Sequence, residues 1–185
     1  MQGPLRANLA PVHRPDPFVC LFRHRRAAPN PTTMLDMVTS TEVGGASRPV
    51  AFLVALAVLT VAHQVGDHVL QTDRQAAHKA GHGGAAVRAM AGHLLAYHAA
   101  AAVLLVGAFA VLRVPLSGVG LAAGLGFSAG THGLLDRRWP VRGLLRLLRA
   151  PKFAEATTPV FGLYQADQAL HQLALLICAV LVSVL

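Results

Sequence analysis

Thirteen residues, Val50 to Ala62, of which only Thr60 is not apolar, run directly into His63-Gln64-Val65-Gly66-Asp67-His68-Val69-Leu70-Gln71-Thr72-Asp73. An apolar run that continues to Leu70 reads as a membrane-spanning helix, because about 20 residues are needed to cross about 30 Å of hydrocarbon. On that helix His63, Asp67 and Gln71 fall four residues apart and share a face. Ionisable groups within a span are costly, so they face a protein interior or a water-filled cavity rather than lipid. The chain is constrained twice: it must cross a bilayer, and it must give these groups polar company.

The pattern returns three times, in runs at about Met90–Leu112, Leu116–Leu135 and Ala166–Leu185. Of the 185 residues 54% are hydrophobic and 13% charged, where a soluble domain of this size carries about 25% charge. The predicted fold is all-α: an integral membrane four-helix bundle, antiparallel and up-down, with spans at 50–70, 90–112, 116–135 and 166–185. The third run holds Gly118, Gly120, Gly124, Gly126 and Gly130. Two of its spacings are Gly-x-x-x-Gly, which let helix backbones approach closely.

The remaining segments are polar. Residues 1–33 carry Arg6, Arg14, Arg23, Arg25 and Arg26 among prolines, and with a linker from Thr39 to Pro49 they read as a disordered basic extension over 1–49. The alternative is a start at Met34 or Met37, with 1–33 a mis-assigned beginning. Thr72–Ala89 is polar and glycine-rich, Arg113-Val114-Pro115 a tight turn, and Arg137–Gln165 long and basic. Within the last, two readings of Trp139–Ala150 are open. It is either a short amphipathic helix lying in the interface, with Trp139 as anchor and arginines on lipid phosphates, or an ordinary basic loop.

The net charge of +8 would favour nucleic acid in a soluble protein. Here the basic residues lie between apolar runs, so no nucleic acid is expected and anionic lipid is the partner at the basic loops. The positive-inside rule makes the first and third connections cytoplasmic, with both termini outside, in a cell inner membrane. A start at Met34 removes the five arginines that oppose this orientation. Cys20 and Cys178 offer no disulfide framework or thiolate cluster. There is no Gly-rich nucleotide loop, nucleophile elbow or Cys-x-x-Cys motif.

Placed on this topology, His63 and Asp67 end helix one, and His93 and His98 begin helix two. His132 and Asp136 end helix three, while Asp167 and His171 open helix four, so all lie on one side of the membrane. The far halves, Val50–Ala62, Ala99–Leu112, Leu116–Phe127 and Leu173–Leu185, hold no charged residue. A channel or proton pump needs polar groups across the whole bilayer. The pattern instead suits a cup open to one aqueous face over an apolar floor.

Imidazole and carboxylate donors together suit a divalent metal, Zn, Mn or Fe, at about 2.0–2.2 Å. His63, Asp67, His132, Asp136, Asp167 and His171 are the candidate ligands, enough for one ion or for two sharing carboxylates. Such an ion lowers the pKa of a bound water to about 7, and His93 or an unligated carboxylate is the candidate catalytic acid or base. Arg137 and Arg138, with Gln71 and Gln168, are candidate substrate contacts. Each has a plainer reading. The arginines set topology, the glutamines are polar helix ends, and the His/Asp pairs hydrogen-bond one another as intramembrane glue. His98 lies about 140° from His93 around a helix, and His68 is off the His63 face, so both are read as structural. His78 and His82 sit among glycines in a solvated loop.

Four motifs carry a resemblance. They are His63-x-x-Gly66-Asp67-x-x-Leu70-Gln71-Thr72-Asp73 with Lys79 after it, His93-Leu94-Leu95-x-Tyr97-His98, Thr131-His132-x-x-x-Asp136-Arg137, and Asp167-Gln168-x-x-His171. In order and spacing these resemble domain of unknown function family 3307, small bacterial integral membrane proteins without an established activity. The resemblance covers Val50–Leu185. The chain is also loosely similar to predicted membrane-bound metal-dependent hydrolases, which are His/Asp-rich multi-helix proteins. The resemblance implies the fold and the importance of the polar motifs, and names no reaction. The leading expectation is metal-dependent hydrolysis of a lipid-linked or membrane-proximal substrate near the cytoplasmic face. The alternative is a non-enzymatic membrane protein whose His/Asp pairs are structural or bind metal for sensing or partner docking.

Overall fold

The computed structural model describes residues 31–185, with 31–46 as backbone alone. The chain divides into two units between Ser40 and Thr41, and the second carries the core and the side-chain cluster described below. The described elements are α1 (Pro31–His68), α2 (Asp73–His78), α3 (Gly83–Val111), α4 (Gly118–Leu135), α5 (Trp139–Leu147), α6 (Pro151–Glu155) and α7 (Gly162–Val184), with no strand among the described residues. Three helical stretches, Ser47–His68, Gly83–Val111 and Gly162–Val184, are long and apolar enough to cross a membrane. At 18 residues α4 reaches about 27 Å. Six of its residues are glycines that present no side chain, and it does not join that group of three.

Several bounds differ from expectation. The helix α1 runs from Pro31 through Pro49, so residues 31–49, expected as extension and linker, are helical. Pro49 removes one backbone donor there without ending the helix. Residues 1–30 lie outside the described residues. The second long helix starts at Gly83 rather than near Met90, because Ala85, Ala86 and Ala89 are strong helix formers that extend it backwards with little conflict. The connection before it is partly ordered: Thr72 caps α2, and Gln75 returns the bond to the Thr72 backbone in a capping box. The Trp139 segment takes the amphipathic-helix form, burying Val141 and Leu145 and ending at Leu147 rather than Ala150.

Each long helix buries one stripe at about four-residue spacing, and the stripes change character along their length. In α1 the stripe is Ala51, Ala55, Leu59 and His63. In α3 it is His93, Tyr97, Ala101, Leu105 and Phe109. In α4 it is Gly120, Gly124, Ser128 and His132, continued by Asp136 at the C-cap. In α7 it is His171, Leu175 and Ala179, with Cys178 and Val182 beside them. The apolar portions make one core, in which Ala51, Ala55, Leu59, Leu105, Phe109, Leu175 and Val182 meet. The glycines of α4 admit α7: a Cβ on Gly124 would stand 2.6 Å from Val182 Cγ2, and one on Gly120 would stand 2.9 Å from the Val182 carbonyl. Gly126 and Gly130 have nothing within 4 Å of such a Cβ. Only one of the two Gly-x-x-x-Gly spacings is a packing device here.

Candidate metal centre

Where the four stripes turn polar, their side chains converge. Gly66 makes this approach feasible, because a Cβ there would run into the Tyr97 ring. Tyr97 forms the floor, its ring centroid 4.4 Å from that of His132 and 6.0 Å from that of His63. Above it stand Asp67 from α1, His93 from α3, His132 and Asp136 from α4, and His171 from α7. Donor atoms of Asp67, His132, Asp136 and His171 all lie within 4.8 Å of one another. Four of the six expected ligands are thus brought together.

Within the cluster, the imidazoles of His132 and His93 stand close to both carboxylates. His132 Nε2 lies 3.2 Å from Asp67 Oδ1 and 3.3 Å from Asp136 Oδ2. His93 Nε2 lies 3.3 Å from each of the same oxygens and 3.0 Å from His132 Nε2. Four donors held tetrahedrally at about 2.0–2.1 Å from one ion are separated by roughly 3.3 Å. His93, expected as a catalytic group, therefore stands at ligand distance itself.

His171 is the most telling member. Its Nδ1 donates to the Asp167 carbonyl at 2.9 Å, which leaves Nε2 with its lone pair. That Nε2 is buried and has no hydrogen-bond partner. A ring oriented through one nitrogen and free at the other is the usual disposition of a ligating histidine. His98 and His68 make the same bond to the carbonyl four residues back, but their Nε2 atoms are taken by Ser128 Oγ at 3.1 Å and Tyr164 Oη at 2.6 Å. Asp67 Oδ1 and Asp136 Oδ2 also lack an acceptable hydrogen bond, although both have close ionic contacts.

The other candidates take flanking positions. His63 is fully buried, stacks on His171 at 4.9 Å, and its Nε2 donates to Gln168 Oε1 at 3.2 Å. It is 3.9 Å from Asp67 Oδ2 and outside the group of four. Asp167 sits beside His171 with Oδ2 3.5 Å from Nδ1. A cavity of about 620 Å³ opens over the cluster, with Asp67, Gln71, Asp136, Arg138, Asp167 and Gln168 in its wall. Arg138 is therefore placed at the cavity, whereas Arg137 donates from Nη1 to the Gly81 carbonyl at 3.0 Å and ties the end of α4 to the α2–α3 turn. His78 is exposed at the end of α2, bonded to the Arg74 carbonyl, and His82 precedes α3.

One residue of the site is absent from the six expected ligands and their expected neighbours. Lys79, at the C-cap of α2, is only 7% exposed, and its Nζ lies 2.8 Å from Asp136 Oδ2 and 3.3 Å from His93 Nε2. Burial alone would raise the Asp136 pKa. The close approach of His132 and His93, with the charges of His132 and Lys79, overcomes this and holds the carboxyl below its ordinary range. Asp67 and Asp136 set two carboxylates against one ammonium, and the cavity wall adds one charge of each sign, Asp167 and Arg138. Positive charge from a divalent ion or from protonated imidazoles completes the balance.

Fold and site together define an all-helical protein with three helices of membrane-crossing length and a buried His/Asp group that could hold a metal ion. Compared with known protein families, curated proteins and solved structures, the chain shows no significant match to any.

Proposed function

We propose that the protein binds one divalent metal, of the Zn, Mn or Fe class, through Asp67, His132, Asp136 and His171, and uses it to hydrolyse a membrane-proximal substrate. The free, buried Nε2 of His171, grouped with two carboxylates and a second imidazole, carries this reading. The ion would supply an acidified water as nucleophile. The chain does the rest. His93, 3.0 Å from His132 Nε2, is placed to receive or return a proton, and Arg138 lines the cavity through which an anionic group would enter. In this reading the long helices form an up-down bundle in the inner membrane, with the basic connections cytoplasmic. Anionic lipid meets α5 and the turn after it, where Trp139, Arg142, Arg146 and Arg149 are exposed.

The test is hydrolysis of a panel of ester and phosphoester lipids by protein reconstituted in anionic liposomes. Cleavage abolished by a chelator, restored by added metal and absent in His132→Ala supports the reading; no metal-dependent cleavage across the panel counts against it. A second reading also has an observation behind it. The 2.8 Å pair between Lys79 and Asp136 belongs equally to a self-neutralising polar network that joins the helices without metal.

A further inference from the structure

Lysines are scarce in this chain: of 16 basic residues only Lys79 and Lys152 are not arginine. Lys79 is also deeply placed, and a lysine so buried normally has a charged partner. Two devices hold it there. The Thr72–Gln75 capping box fixes the start of the short helix that Lys79 caps, and the bond from Arg137 to the Gly81 carbonyl pins the turn that follows. Its ammonium thus reaches Asp136 and His93 by construction, at 2.8 and 3.3 Å. Both of those side chains stand at ligand distance from His132.

An ammonium and a divalent ion cannot share the same carboxylate oxygen cheaply, because like charges a few ångströms apart repel strongly in a poorly solvated site. We propose that Lys79 is the site's own cation, neutralising Asp136 in the metal-free protein and giving way when a divalent ion arrives. This rests on the metal reading above. The side chain has somewhere to go, since Lys79 lines the cavity wall together with Asp136. A flexible four-carbon stem carrying a point charge suits such a movement better than a planar guanidinium would. Lys79 would then set how tightly the centre holds its ion, and would present a cation to whatever occupies the cavity.

The experiment is a competition titration of Zn²⁺ against a chromogenic chelator, with the full chain in detergent as wild type, K79M and K79R, accompanied by thermal unfolding. K79M is expected to bind Zn²⁺ at least about tenfold more tightly than wild type. Without metal it should melt lower than wild type, and saturating Zn²⁺ should restore most of the difference. K79R keeps the charge and should bind no more tightly than wild type. If both wild type and K79M bind Zn²⁺ with equal affinity, this proposal fails while the metal reading stands. Weaker binding by K79M would make Lys79 a helper of the metal and overturn the proposal. If no form binds Zn²⁺, both readings fall. Should K79M not fold, tighter binding by K79R than by wild type would overturn the proposal, and unchanged or weaker binding by a well-folded K79R would uphold it.

Discussion

The two ends of the helix core are built on the same four stripes and held together differently. At one end Ala51, Ala55, Leu59, Leu105, Phe109, Leu175 and Val182 fill space, and in a membrane such residues gain little from leaving lipid, so close packing is what joins the helices. At the other end Asp67, His93, His132, Asp136, His171 and Lys79 meet, most of them through charged contacts at 2.8–3.3 Å. The first end tolerates a lost atom; the second cannot lose one charge without stranding another. Stability at the apolar end is spread over many contacts, whereas at the polar end it is concentrated in a few.

The largest contrast is expected between Asp136→Asn and Phe109→Ala. Asp136→Asn takes the carboxylate from Lys79, His93 and His132 together and should cost about 3–5 kcal/mol, the usual loss when one partner of a buried ion pair is removed. Phe109→Ala empties roughly 100 Å³ and should cost about 2 kcal/mol, a cavity term without much transfer term. Both are measured by denaturant titration in mixed micelles. A larger loss for Phe109→Ala than for Asp136→Asn would break the contrast.

Within α4 the comparison can be sharpened by one residue type at two positions. Gly124→Leu drives a side chain into Val182, where even a Cβ would be at 2.6 Å, and should cost about 1–3 kcal/mol. Gly126→Leu meets open space and should stay within about 0.5 kcal/mol of wild type. Equal effects would mean that the α4–α7 approach is not what these glycines serve. The smallest effect belongs to the boundary between the ends. Tyr97 is fully buried with a hydroxyl that has no hydrogen-bond partner, so Tyr97→Phe should be neutral or stabilising by up to about 1 kcal/mol. A clear loss in thermal unfolding would show that the hydroxyl belongs to the polar network.

Much of this is legible in the chain because helical periodicity is a local property. The spacing of His63 and Asp67, of His132 and Asp136, and of Asp167 and His171 places each pair on one face. Faces do not specify depth. That is why spacing cannot rank His171 above His63, or show His93 at ligand distance, until the helices are packed. Lys79 is the instructive case: it stands in the first of the four motifs but not among the expected site residues. It lies in a glycine-rich connection that reads as solvated, yet Thr72-x-x-Gln75 is a readable capping box and marks an ordered turn just before the lysine. What that box cannot tell is where the turn docks, which depends on contacts as distant as Arg137 with Gly81. The start of α3 departs from expectation for a similar reason: hydropathy marks where lipid begins, whereas a helix continues as far as its residues allow.

The central claim is that the converging donors hold a metal, and elemental analysis tests it most directly. The protein would be purified in detergent without chelators, as wild type and as His132→Ala and His171→Ala, with helicity and monodispersity checked for each. A metal centre predicts about one divalent ion per chain in wild type and a loss of most of it in both variants without loss of helix. A wild type that stays metal-free even after incubation with Zn²⁺, Mn²⁺ or Fe²⁺, alongside variants that only lose thermal stability, would contradict it and leave the His/Asp cluster as a bond between helices.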